Sequence, residues 1–151
     1  MKKLFLLLSM TLFFSQCGYE KIYSDKNLNL SIRDIKKENN SINNELSNSL
    51  LKIFSNDASD NVFDLEIQTN KSTEVRSKNS KGDPTVYVLK LETKIIVFTN
   101  TNNKYENIFY KEMNYNNNDD KFELSQYINE IEKTLINETV GEIINYLTIV
   151  E

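Results

Sequence analysis

Residues 86–98 read VYVLKLETKIIVF, and within them Tyr87, Leu89, Leu91, Thr93, Ile95 and Val97 recur at every second position. Alternation of this kind, in a run rich in β-branched and aromatic side chains, specifies a long strand with one buried face. The segments on either side are read from it. Residues 70–85, NKSTEVRSKNSKGDPT, are polar and hold the only proline, Pro84, beside Gly82; they are expected to form an exposed loop or a frayed strand extension. Before them, Phe63, Leu65 and Ile67 alternate with Asp64, Glu66 and Gln68 in another strand. After the long strand, the polar connection TNTNNKYEN leads into IFYKEMNY at 108–115, so the last two strands are expected to make a hairpin.

Farther out, Leu28, Leu30 and Ile32 alternate with Asn29, Ser31 and Arg33 as a first strand, and 34–40 is polar and turn-like. Ile42, Leu46, Leu50, Ile53 and Phe54 then recur at helical spacing, with Asn40 or Ser41 placed to cap a helix that ends near Ser55. Past the linker NNNDD, Leu124, Ile128, Ile131, Leu135, Thr139 and Ile143 keep a 3.6-residue period. Ser125 lies near the start of that helix, and Gly141 weakens its later part by about 1 kcal/mol relative to Ala. The order βαβββα predicts an α+β two-layer sandwich over residues 28–151. Two helices pack on one face of a four-stranded, mainly antiparallel sheet, which buries every apolar stripe.

Composition narrows the functional classes. The 151 residues carry 18 Lys and Arg against 22 Asp and Glu, with no His, no Trp and one Cys. An acidic chain is unsuited to non-specific nucleic-acid binding, and without imidazole or a spare thiol most nucleophilic and metal-assisted catalysis lacks its usual groups. No cofactor or metal is expected, and the chain is read as a binding protein rather than an enzyme.

The N-terminus holds the most specific signal. Lys2 and Lys3 precede an apolar run from Leu4 to Phe14, too short to span a bilayer, which needs about 20 apolar residues. The sole cysteine, Cys17, follows directly after FFSQ. A lipoprotein leader, residues 1–16, ends in this way before a cysteine whose sulfur takes diacylglycerol, although Phe14 and Gln16 stand where Leu and a small residue are usual. The alternative for Cys17 is a small buried apolar side chain. Processing would leave a tethered linker at 17–27 and a net charge of about −6, Lys2 and Lys3 being lost with the leader. Gly18 after the cysteine favours the outer membrane. Tyr19 and Tyr23 either sit at the membrane interface or pack under the sheet.

Cys17-Gly18-Tyr19, with Ile22-Tyr23 close behind, and this order of elements in a chain of this size resemble the LPS-assembly lipoprotein LptE family; Lys21 stands where many members have Pro. The resemblance implies a non-catalytic lipoprotein that plugs and helps assemble an LptD-like outer-membrane β-barrel and assists lipopolysaccharide transport to the outer leaflet. It would be held on the periplasmic side by its acyl chains. A stand-alone periplasmic binding or inhibitor lipoprotein with a protein partner is the alternative.

Arg76, Lys78 and Lys81 make the most basic short stretch of the mature chain. They are candidates for lipopolysaccharide phosphates and carboxylates, since Arg binds such groups bidentately and Lys as a point charge; the competing reading is a solvated loop. Lys36 and Lys37 are a weaker candidate pair. Asp57, Asp60 and Asp64, and Asp119 with Asp120, are the acidic groupings; they lack the Gly and Glu positions of a calcium loop and read as turn residues, with a carboxylate hydrolase as the remote alternative.

Overall fold

The computed structural model describes residues 30–54, 59, 61–101 and 103–150. The leader, Cys17, the linker with Tyr19 and Tyr23, Asp57 and Asp60 lie outside the described residues. The elements are β1 (Leu30–Lys37), α1 (Ser41–Ile53), β2 (Asn61–Lys78), β3 (Pro84–Thr99), β4 (Lys104–Asn116) and α2 (Lys121–Val150). The order βαβββα is as expected, and the sheet is mixed. Its strands lie in the sequence β1-β2-β3-β4, with β1 and β2 parallel and the other two pairs antiparallel. A parallel pair needs a crossover, which α1 supplies.

β3 is the keel of the sheet. Leu89, Leu91, Thr93, Ile95 and Val97 are buried beneath the helices with Phe63, Leu65 and Ile67 of β2. Ile42, Leu46 and Leu50 of α1 and Ile131, Leu135, Thr139 and Ile143 of α2 close the core from above. The only polar contact between strands at its centre joins two hydroxyls among the described residues: Thr69 and Thr93, both buried, lie 3.1 Å apart. Thr93→Val should therefore cost about 1–3 kcal/mol by leaving the Thr69 hydroxyl unpaired. The double variant Thr69→Val/Thr93→Val should recover most of that loss in urea unfolding.

Two expectations need correction. Residues 34–37 are strand rather than turn. The pairing of β1 with β2 shifts between Ile32 and Asp34, and this bulge turns Ile35 toward the helices although it stands three residues after Ile32. The polar residues after it stay in solvent on an edge strand, while their backbone pairs with Asp64 through Ile67. Second, β4 begins at Lys104, and the connection tightens to a turn in which Thr99 N–H donates to Asn103 O at 3.1 Å. α2 begins at Lys121, with Ser125 near its start as expected. Asp120 is its cap, with Oδ1 accepting from the N–H groups of Phe122 and Glu123 at 2.9 and 3.1 Å. α1 is capped by Asn40, whose Oδ1 accepts from Asn43 N–H at 2.8 Å.

Candidate functional site

β1 ends opposite Ile67, so β2 continues from Gln68 to Lys78 with β3 as its only neighbour. Residues 70–78 are thus the strand extension, not the loop, and only the turn at Asn79–Asp83 reverses the chain. Asn79 builds that turn: its Oδ1 accepts from the N–H groups of Lys81 and Asp83 at 2.9 Å each, and its Nδ2 donates to Asp83 at 3.1 Å. Gly82 occupies φ 90°, a conformation open to glycine and strained for other residues.

The three basic candidates come together at this tip. Arg76 sits where the β2–β3 register shifts between Val75 and Ser77, Lys78 closes the strand opposite Pro84, and Lys81 is in the turn. All three are exposed, and none forms an ion pair with any described residue. The lysines lower on the sheet differ: Lys71 pairs with Glu132, Lys90 with Glu74 and Lys94 with Glu106, at 2.6–2.7 Å. The tip therefore carries three cations outside any ion pair among the described residues, against the single carboxylate of Asp83, which Asn79 Nδ2 holds in the turn. Lys78 lies seventeen residues along β2 from Asn61, the partner of Leu30, which sets the tip about 55 Å from where the chain enters the domain.

Sequence reading did not anticipate the neighbour of this tip. Ser77, Val86 and Asn116 form one row across β2, β3 and β4, so the β4–α2 corner stands about 10 Å from the cations. Asn117 holds the corner to the start of β3 just after the turn, donating from N–H to Thr85 O at 2.9 Å and from Nδ2 to Pro84 O at 3.1 Å. A shallow pocket there is lined by Asn116, Asn117, Asn118, Glu123, Leu124 and Tyr127. Phe122 and Tyr127 lie 69% and 48% exposed in the first turns of α2. Cations, amide hydrogen-bonding groups and aromatic surface thus share one end of the molecule, a combination suited to an amphipathic anion. The NNNDD run signalled a linker, and the exposed aromatics had no signal of their own because they flank a helical stripe.

The other candidates stand elsewhere. Lys36 pairs with Glu66 at 3.6 Å, and Lys37 lies opposite Ile67, well short of the tip. Asp120 caps α2, far in sequence and role from Asp64, which accepts a bidentate contact from Arg33, with Nε to Oδ1 at 2.9 Å. Phe109 and Tyr115 are buried, and Tyr115 stacks on Tyr87 at 5.5 Å between ring centroids, whereas Tyr110 points into solvent. Among the described residues no group of acidic or thiol side chains converges as a metal site would require.

The hydrogen bond from Arg33 holds the Asp64 carboxyl below the usual carboxylate range. A lowered native value contributes stability above the unfolded Asp value of about 3.9, and the contribution is lost as pH falls through the native value. Asp64→Asn should therefore be slightly less stable at neutral pH and lose less of its thermal midpoint on acidification than the parent chain. Melting curves between about pH 2 and pH 6 check this.

No protein-family model matches the sequence, and neither does any curated protein sequence. Solved structures do resemble it. The crystal structure of rare lipoprotein B from Shewanella oneidensis superposes with a TM-score of 0.61 at 12% identity, over 78% of this chain and 96% of that one. A minor lipoprotein from Acinetobacter baumannii gives 0.55 at 11% identity, covering 75% and 87%. The solution structure of lipoprotein B from Nitrosomonas europaea gives 0.57 at 10%, covering 76% and 82%. At such identities the shared property is the fold.

Proposed function

We propose that this chain is a lipid-anchored outer-membrane lipoprotein related to the lipoprotein B proteins, and that it acts by binding rather than catalysis. In this reading it occupies an LptD-like β-barrel, supports that barrel's assembly and touches lipopolysaccharide in transit. The observation that carries it is the coincidence of a short apolar run ending just before Cys17 with a domain fold similar to that of lipoproteins from three bacteria. Arg76, Lys78 and Lys81, outside any ion pair among the described residues, support the glycolipid contact, because phosphate and carboxylate groups gain most from cations that no carboxylate already holds. A barrel interior is polar, and the charged outer surface of this domain suits it.

Affinity purification of the tagged full chain from detergent-solubilised outer membranes is the test. A stoichiometric β-barrel partner, together with loss of surface lipopolysaccharide on depletion, is the expected result. No barrel and unchanged glycolipid would overturn the reading in favour of a stand-alone periplasmic binding or inhibitor lipoprotein. Reversing all three cations, Arg76→Glu with Lys78→Glu and Lys81→Glu, should weaken lipopolysaccharide binding at least about tenfold and flatten its salt dependence. Unchanged binding would remove the tip from the contact.

A further inference from the structure

The sheet has three free stretches of edge, and they are not equally protected. β1 is bulged between Ile32 and Asp34, and the distal half of β2 is bulged at Arg76; both carry exposed charges. Such bulges and charges discourage pairing with another strand. β4 pairs with β3 in unbroken register from Lys104 to Phe98 through Asn116 to Val86, and among the described residues no strand pairs with its other edge. Ile108 and Tyr110 on it are exposed.

The backbone of that edge is aimed outward at a defined parity. Ile108 N–H donates to the side-chain Oδ1 of its own neighbour Asn107 at 3.0 Å, and the bonds from Thr99 N–H to Asn103 O and from Asn117 N–H to Thr85 O make the odd-numbered positions of β4 the ones hydrogen-bonded to β3. The N–H groups at even-numbered positions of β4 therefore face the open edge, where a carbonyl from another strand can replace the Asn107 side chain.

We propose that β4 pairs antiparallel with β4 of a second copy of this chain, about a two-fold axis at Ile108. Charge selects both the occupant and the register. With the axis at Ile108, Lys104 faces Glu112 of the other copy twice, Glu106 faces Tyr110, and Ile108 meets Ile108. Lys104 and Glu112 are exposed, and neither is in an ion pair with a described residue, so each gains an ion-pair partner. An axis at Tyr110 would set Lys104 opposite Asn116 and Ile108 opposite Glu112, pairing no charges. The dimer is isologous, as a closed two-fold contact requires, and forms a continuous eight-stranded sheet with all four helices on one face. This inference does not rest on the barrel reading.

The test is Ile108→Cys in the full chain, oxidised mildly in its membrane. Hydrogen-bonded antiparallel partners have Cα atoms about 5.5 Å apart, within disulfide range. A homodimer joined through position 108, identified by mass, is expected. Tyr110→Cys should cross-link far less, because the two copies of that position lie four residues out of register. Adding Glu112→Lys should lower the Ile108→Cys yield about tenfold, and adding Lys104→Glu as well should restore it. A disulfide to a different protein, equal yields at positions 108 and 110, or a charge swap that fails to restore pairing would each overturn the proposal. Melting curves of these surface variants separate lost pairing from lost folding.

Discussion

Cys17→Ser should abolish acylation outright and retain residues 1–16 on the product. Transfer of diacylglycerol requires the thiolate as nucleophile, and a serine hydroxyl at its ordinary pKa does not substitute for it. Each buried methylene contributes roughly 0.8 kcal/mol, so two or three acyl chains hold a protein at the bilayer stably where one does so only reversibly. On the proposed reading the tether would also keep the domain at high local concentration near a membrane partner, and that advantage would disappear with it. The mass of the N-terminal peptide is the decisive readout, because an uncleaved leader can itself adhere to membranes. Leader-bearing N-terminal peptides of the parent and variant whose masses differ only by the exchange of sulfur for oxygen at position 17 would exclude lipidation and return Cys17 to the reading of a buried apolar side chain.

Leu135→Ala should cost about 2–5 kcal/mol, a large part of the 5–15 kcal/mol that holds a domain of this size together. Leu135 is fully buried in the core cluster formed by both helices and the sheet. Alanine is the better helix former, so the whole loss is packing. Tyr127→Ala in the same helix should change stability by no more than about 1 kcal/mol, because its side chain is about half exposed. Urea unfolding with unchanged slopes checks both. Equal losses at the two positions would mean that the buried face of α2 is not the one described.

The same contrast explains what was legible in the sequence. The face of α2 that carries Leu135 was visible because Ile131, Leu135, Thr139 and Ile143 repeat at the helical period and all are buried. The buried face of β3 was visible for the same reason at a period of two. The cap role of Asp120 was not read from the sequence, since several residues in NNNDDKFELS can accept a backbone hydrogen bond and pattern alone does not choose among them. The bulge in β1 left a trace, the three-residue step from Ile32 to Ile35, but a step of three also reads as the end of a strand.

The sequence by itself determined the order of elements and the faces they bury, because each is written as the spacing of apolar side chains that must leave water. Only the tertiary structure decided that residues 70–78 are strand, that Arg76, Lys78 and Lys81 stand together at the far end of the sheet, and that the β4–α2 corner lies beside them. Every residue from Asn70 to Lys78 is exposed, so no apolar alternation marks this stretch. What holds it is backbone hydrogen bonding to β3, and that bonding is indifferent to side-chain identity.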